Sequence, residues 1–168
     1  MPDTFTLIAS STVGAPGASS IDFTSIPSTY TDLVIKTSIR TNRSADNDYL
    51  VLKFNGSGTG YSVRMVQGNG STASSNSDTL IYSPMNGNTT TANTFNNNEI
   101  YIPNYAGNNQ KSVSMDGLYE NNATAVEMRL MAGLWTGTAA INQCTLTSYY
   151  SSTFLQYSTA YLYGVNKS

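Results

Sequence analysis

Asp46 and Asp48 are the first side chains whose spacing could support chemistry. They are separated by one residue in a polar turn near Arg43, and two carboxylates at that spacing could share a Ca²⁺ ion. The glycine and the bidentate glutamate that complete an EF-hand loop are missing. The pattern therefore favours two solvated turn acids beside Arg43 over a calcium site.

Asp116, Glu120 and Glu127 form a second acidic group, on or near one predicted hairpin. Two carboxylates placed across a sheet could act as the acid–base pair of a glycosidase. Arg129 lies on the same predicted strand face as Glu127, so ordinary pairing of opposite charges explains these acids at least as well. We therefore predict no catalytic residue among them.

The composition removes most other kinds of active site. The 168 residues contain no histidine and a single cysteine, Cys144, which excludes histidine-dependent catalysis, histidine metal sites, an internal disulfide and a cysteine zinc cluster. We therefore expect no enzyme activity, no bound metal and no cofactor.

The net charge and the hydropathy bear on which partners the chain could bind. The net charge is −2, with 11% charged residues, and so low a charge density does not suit nucleic acid or an anionic membrane. No apolar run approaches the roughly 18 residues of a membrane span, and no signal peptide is recognisable.

The elements that must position any binding site are predicted to be strands. Ser, Thr and Asn number 22, 22 and 18, and the apolar residues between them alternate with a period of two. In segment 31–41, Leu33, Ile35 and Ile39 share the apolar face, whereas Arg40 lies on the polar one. Segment 125–135 is rich in helix formers, but its alternation favours a strand with Met128 and its apolar neighbours inward. We predict one all-β domain over residues 1–168, a jelly-roll-like antiparallel sandwich of about nine or ten strands.

The predicted core contains the residues that share these apolar faces. They are Leu33, Ile35, Ile39, Leu50, Leu52, Phe54, Val113, Met115, Val126, Met128, Leu130 and Leu162.

Binding is predicted from aromatic residues and from polar loops. Twelve tyrosines are many for this length, and Tyr149, Tyr150 and Phe154 lie near a Ser-rich turn, where aromatic side chains often anchor protein interfaces. Phe5 and Leu7 lie on a first strand that could add to the sheet edge of a neighbour. Segments 67–78 and 85–98 are so polar that we predict long exposed loops, ordered by a partner rather than by the core of the domain.

Three runs of sequence resemble small Ser/Thr/Asn-rich β-sandwich proteins of tailed-bacteriophage virions. They are FTLIASS at 5–11, IDFTSIPSTYTDLVI at 21–35 and AYLYGVNKS at 160–168. The resemblance implies a virion structural protein that is made in the host cytoplasm, most simply a capsid decoration (cement) protein on the outer surface of the head. Its expected partners are the major capsid protein and further copies of itself, with a trimer as the first expectation. The alternative is a fibre or spike component that binds a receptor or a host surface glycan.

Overall fold

The computed structural model describes residues 4–121 and 126–166, and these residues form twelve strands and no helix. The strands are β1 (Phe5–Thr12), β2 (Ser20–Phe23), β3 (Asp32–Ser38), β4 (Asn47–Phe54), β5 (Tyr61–Gly68), β6 (Ala73–Asp78), β7 (Ile81–Asn86), β8 (Asn97–Ile102), β9 (Lys111–Glu120), β10 (Val126–Trp135), β11 (Cys144–Ser148) and β12 (Thr159–Val165).

The strands form two antiparallel sheets. One has eight strands in the order β1-β12-β3-β8-β9-β10-β5-β6, and the other has four in the order β2-β11-β4-β7. Strand β7 of the smaller sheet packs against β9 and β10 of the larger one. The all-β antiparallel sandwich predicted from the sequence is confirmed, with twelve strands in place of nine or ten.

One of the additional strands lies where a loop was predicted. Residues 73–78 of the predicted loop 67–78 form β6, an exposed edge strand that pairs with β5 from Val63 to Gly68. Its sequence, ASSNSD, has no apolar face for alternation to reveal. Backbone hydrogen bonds to β5 are enough to make it a strand, because ladder pairing needs no particular side chain.

The core lies between the two sheets and contains most of the predicted residues. Leu33, Ile35, Ile39, Leu50, Leu52, Phe54, Val113, Met115 and Leu162 are all buried.

The prediction for β10 was wrong about which face is buried. Met128 and Leu130 are 58% and 59% exposed, whereas Arg129 and Met131 are buried. The register with β9 pairs Met131 with Met115 and so fixes the inner face of β10, because directly paired residues point to the same side of a sheet. Val126 is only partly buried.

The prediction for segment 85–98 was also wrong, because this segment is held by the domain itself. Met85 and Asn86 end β7, and Asn97 and Asn98 begin β8. Between them the backbone wraps around the guanidinium of Arg40, which is 5% exposed. Arg40 Nη1 donates to the carbonyls of Thr91 (2.6 Å) and Thr94 (3.1 Å), and Nη2 donates to those of Asn88 (3.1 Å) and Thr90 (2.9 Å).

Candidate functional site: tyrosine cluster and sheet faces

Asp48 is a buried structural acid, not the solvated turn residue that the sequence suggested. Its carboxylate accepts hydrogen bonds from Thr41 Oγ1 (2.9 Å), Ser148 Oγ (2.8 Å) and the backbone N–H of Tyr49 (2.7 Å). These bonds join the start of β4 to the end of β11. Among residues 4–121 and 126–166, no three His, Cys, Asp or Glu side chains are grouped so that they could hold a metal ion.

The second acidic group is divided between the two faces of the large sheet. Asp116 pairs in register with Leu130 and is exposed on the outer face, whereas Glu127 pairs with Tyr119 on the inner face. Glu127 accepts a 2.5 Å hydrogen bond from Arg129 Nη2 in an ion pair. The fold therefore does not place Asp116 and Glu127 across one cleft, as a glycosidase pair would require.

Four tyrosines form a cluster where β4, β7 and the turn after β11 meet. The ring of Tyr149 lies with its centroid 6.3 Å from Tyr49, 5.9 Å from Tyr82 and 5.0 Å from Tyr150. Edge-to-face and tilted contacts at these distances are favourable for aromatic pairs. Tyr149 and Tyr150, both predicted interface residues, are 49% and 47% exposed, so the cluster presents aromatic surface to solvent.

The local backbone fixes the position of the two exposed rings. Tyr149 N–H donates to the carbonyl of Tyr49 (2.8 Å), which ties the turn to β4. Ser148 Oγ accepts from the N–H groups of Tyr150 (3.1 Å) and Ser152 (3.0 Å), a local hydrogen-bond pattern typical of serine at turns. The turn is thus closed by its own hydrogen bonds, so the rings are arranged before any partner arrives.

Two arginines contact the faces of these rings. The guanidinium carbon of Arg43 lies 3.5 Å from the centroid of the Tyr150 ring, and that of the buried Arg129 lies 4.7 Å from Tyr82 and 5.0 Å from Tyr49. Such cation–π contacts stabilise both partners. Burial raises the pKa of Tyr49 and of Tyr82, so both hydroxyls stay protonated and can donate hydrogen bonds near neutral pH.

A polar depression of about 400 Å³ adjoins the cluster. Glu127, which lines it, also accepts a 3.4 Å hydrogen bond from Tyr49 Oη. Its other lining residues include Gln67, Asn69, Ser71, Thr72 and Ser74. Amides, hydroxyls and a carboxylate beside aromatic rings are the groups that bind a polar, ring-shaped ligand.

Of the remaining predicted interface residues, two are exposed and one is buried. Phe5 and Leu7 are exposed on the edge strand β1, paired with Val165 and Tyr163 of β12. Phe154 is fully buried and cannot contact a partner in this fold. It forms isolated bridges with residues 18 and 41, so burial of this aromatic ring is decided by chain segments far away in the sequence.

The sequence interpretation missed an apolar surface on the outer face of the large sheet. Val66 of β5, Leu118 of β9 and Leu130 of β10 are exposed there beside Met128 and Leu134, and together these five side chains are called the outer apolar face. A groove of about 440 Å³ runs across it. The only signal was that β10 carries apolar residues at both odd and even positions, since Met131 and Trp135 share the face of Glu127 and Arg129.

Comparison of the chain with protein-family models, with curated protein sequences and with solved structures gave no match. None of the described residues belongs to a helix long and apolar enough to cross a membrane.

Proposed function

We propose that this protein is a structural component of a tailed-bacteriophage virion and decorates the outer surface of the head by binding the major capsid protein. The observation that carries the proposal is the exposed pair Tyr149 and Tyr150, held in place by Tyr49 and by Arg43. Tyrosine and arginine are enriched in protein interfaces and are common among the residues that dominate their binding energy. Rings that are already arranged lose little conformational entropy on binding.

The edge strand β1 supplies a second contact in this proposal. Phe5 and Leu7 are exposed on it, and among the strands that the structure describes none pairs with the other side of its backbone. An extended segment of a capsid subunit could pair with that edge through main-chain hydrogen bonds while Phe5 and Leu7 fill pockets on the partner. Because the protein would bind only the assembled shell, its binding would stabilise the shell by mass action.

The proposal is tested by counting copies in the virion that carries the protein and by rebinding. Quantitative mass spectrometry should find a copy number comparable to that of the major capsid protein, and a cryo-EM reconstruction should place the chain on the head. Purified protein should rebind particles stripped of it, whereas Tyr149→Ser/Tyr150→Ser should rebind much more weakly. Tyr157→Ser is the matched control, because Tyr157 is exposed and lies outside the cluster. Absence from the virion, or equal rebinding by all three proteins, would contradict the proposal.

A fibre or spike component that binds a host glycan is the second candidate. The polar depression beside the tyrosine cluster favours it, since Glu127, Gln67 and Asn69 could bind sugar hydroxyls while a tyrosine ring packs on the sugar face. A copy number comparable to that of tail fibres, together with binding on a glycan array that Glu127→Gln weakens, would support this candidate over decoration. Made in the host cytoplasm, the protein would reach the virion by assembly in both cases.

A further inference from the structure

We propose that the outer apolar face binds the same face of a second copy of this chain, around a two-fold axis that runs along β10. The proposal concerns the free protein and does not depend on where in a virion the protein is located. It replaces the expected trimer with a two-fold pair, because a face that binds itself makes a closed dimer.

The register of the large sheet places the apolar side chains in a compact group. Directly paired residues in neighbouring strands share a face. One row across β9, β10 and β5 is therefore Asp116, Leu130 and Val66, and the next row is Leu118, Met128 and Gly68. Leu130 and Met128, the most exposed apolar residues of these rows, lie on the central strand, where a partner would cover them most completely.

Opposite charges flank this group on its two sides. Asp116 lies on β9 and Arg64 lies on β5, with β10 between them. Neither charge forms an ion pair within the part of the chain that the structure describes; Arg64 Nη1 donates only to the carbonyl of Val63 (2.9 Å). Strands lie about 4.8 Å apart, so two strand spacings separate these residues within one molecule.

A two-fold axis along β10 brings these charges together between molecules. Rotation about that axis places β9 of one copy over β5 of the other, so Asp116 faces the partner's Val66 and lies one two-residue step from the partner's Arg64. That step is about 7 Å along a strand, which a long arginine side chain spans. An axis across the strands would instead place β9 over β9 and bring acidic residues together. The charges therefore favour the axis along β10.

The shape of the face is complementary under the same rotation. Leu118 of β9 would lie over the partner's Gly68 and near the partner's Ala73, because Leu118, Gly68 and Ala73 occupy one row of the sheet. Gly68 and Ala73 line the groove of about 440 Å³ together with larger residues that include Leu118 itself, and these two small residues leave space for the partner's Leu118.

The size of the face suits a stable dimer. β10 has ten residues and is about 33 Å long at 3.3 Å per residue. Five strands from β8 to β6 are about 20 Å across, which gives roughly 650 Å² of face. Stable interfaces bury about 600–1,000 Å² per partner, so the face reaches the lower end of this range when all five strands take part.

Sedimentation equilibrium of the purified full-length chain at micromolar concentrations tests the proposal. The wild-type protein should be a dimer. Leu130→Asp should raise the dissociation constant at least about 100-fold, because a charge would be buried at the centre of the contact. Leu7→Asp makes the same change at an exposed leucine on the outer side of the far edge strand, and it should leave the dimer intact. Circular dichroism and the melting temperature establish that both variants fold.

A charge exchange distinguishes this dimer from any other. Arg64→Asp and Asp116→Arg should each weaken the dimer, because each places like charges across the axis. The double variant Arg64→Asp/Asp116→Arg should recover it, and an equimolar mixture of the two single variants should form heterodimers, which pairing within one molecule cannot explain. A wild-type monomer at all soluble concentrations, a trimer, or failure of both the double variant and the mixture to recover dimers would overturn the proposal. None of these outcomes depends on binding to particles.

Discussion

Replacement of Arg40 by methionine should destabilise the protein by about 3 kcal/mol. The methionine retains an apolar stem of similar length but removes four hydrogen bonds from the guanidinium to the backbone between β7 and β8. The bond to the carbonyl of Thr90 is fully buried, and a buried bond to a charged group contributes about 1.5–3 kcal/mol. The other three carbonyl acceptors are partly exposed and can bind water instead. Loss of each of these three hydrogen bonds should therefore reduce the stability by about 0.5–1 kcal/mol.

One effect opposes this loss. Burial lowers the pKa of Arg40, which means that the folded state pays a desolvation cost for the charged guanidinium, and methionine removes that cost. We therefore expect the loss of stability to lie at the lower end of the range obtained by adding the contributions of the four hydrogen bonds. The backbone of residues 87–96 loses its shared donor and should exchange its amide protons faster even where the global fold persists.

Urea unfolding and hydrogen exchange measure the two effects. Arg64→Met is the matched control, because Arg64 is exposed, and at concentrations that keep the protein monomeric it should change stability by no more than about 0.5 kcal/mol. Arg40→Lys retains the charge but not the planar fork of donors, so it should lie between wild type and Arg40→Met. A loss below about 1 kcal/mol for Arg40→Met, with unchanged exchange in residues 87–96, would refute the role assigned to Arg40.

Four further predictions follow from burial. Met131→Ala should cost about 2–5 kcal/mol but Leu130→Ala at most about 0.5 kcal/mol in the monomer, and equal costs in urea unfolding would contradict the assigned face of β10. Burial raises the pKa of the Cys144 thiol, so a thiol reagent at pH 8 should label only the unfolded chain. Asp48→Asn should lower stability by about 1–3 kcal/mol, measured by the same unfolding curves. Burial, reinforced by Asp46, raises the pKa of Tyr119 from 10.0 to about 12. Between these values the folded state holds a proton that the unfolded chain releases, so stability falls as pH rises, and Tyr119→Phe should reduce this fall.

The sequence by itself determined the fold class and most of the core. In segment 49–54, Leu50, Leu52 and Phe54 recur at every second position, so burial of one strand face covers all three of these side chains. The Ser-rich turn predicted Tyr149, Tyr150 and Phe154 as interface residues, and of these Tyr149 and Tyr150 are exposed whereas Phe154 is buried. The contacts of these rings with Tyr49 and Tyr82 could not be predicted, because Tyr49 and Tyr82 lie on strands whose pairing cannot be read from the local sequence.

Only the tertiary structure decided which face of β10 is buried. With apolar residues at both odd and even positions, either face could have packed inward, and the register against Met115 of β9 selected Met131 over Leu130. The same holds for Arg40, which local alternation places on a polar face but which a backbone segment fifty residues later encloses. Alternation shows which face of a strand is the more apolar. Whether that face is covered, and by which segment, depends on contacts between residues that are far apart in the sequence.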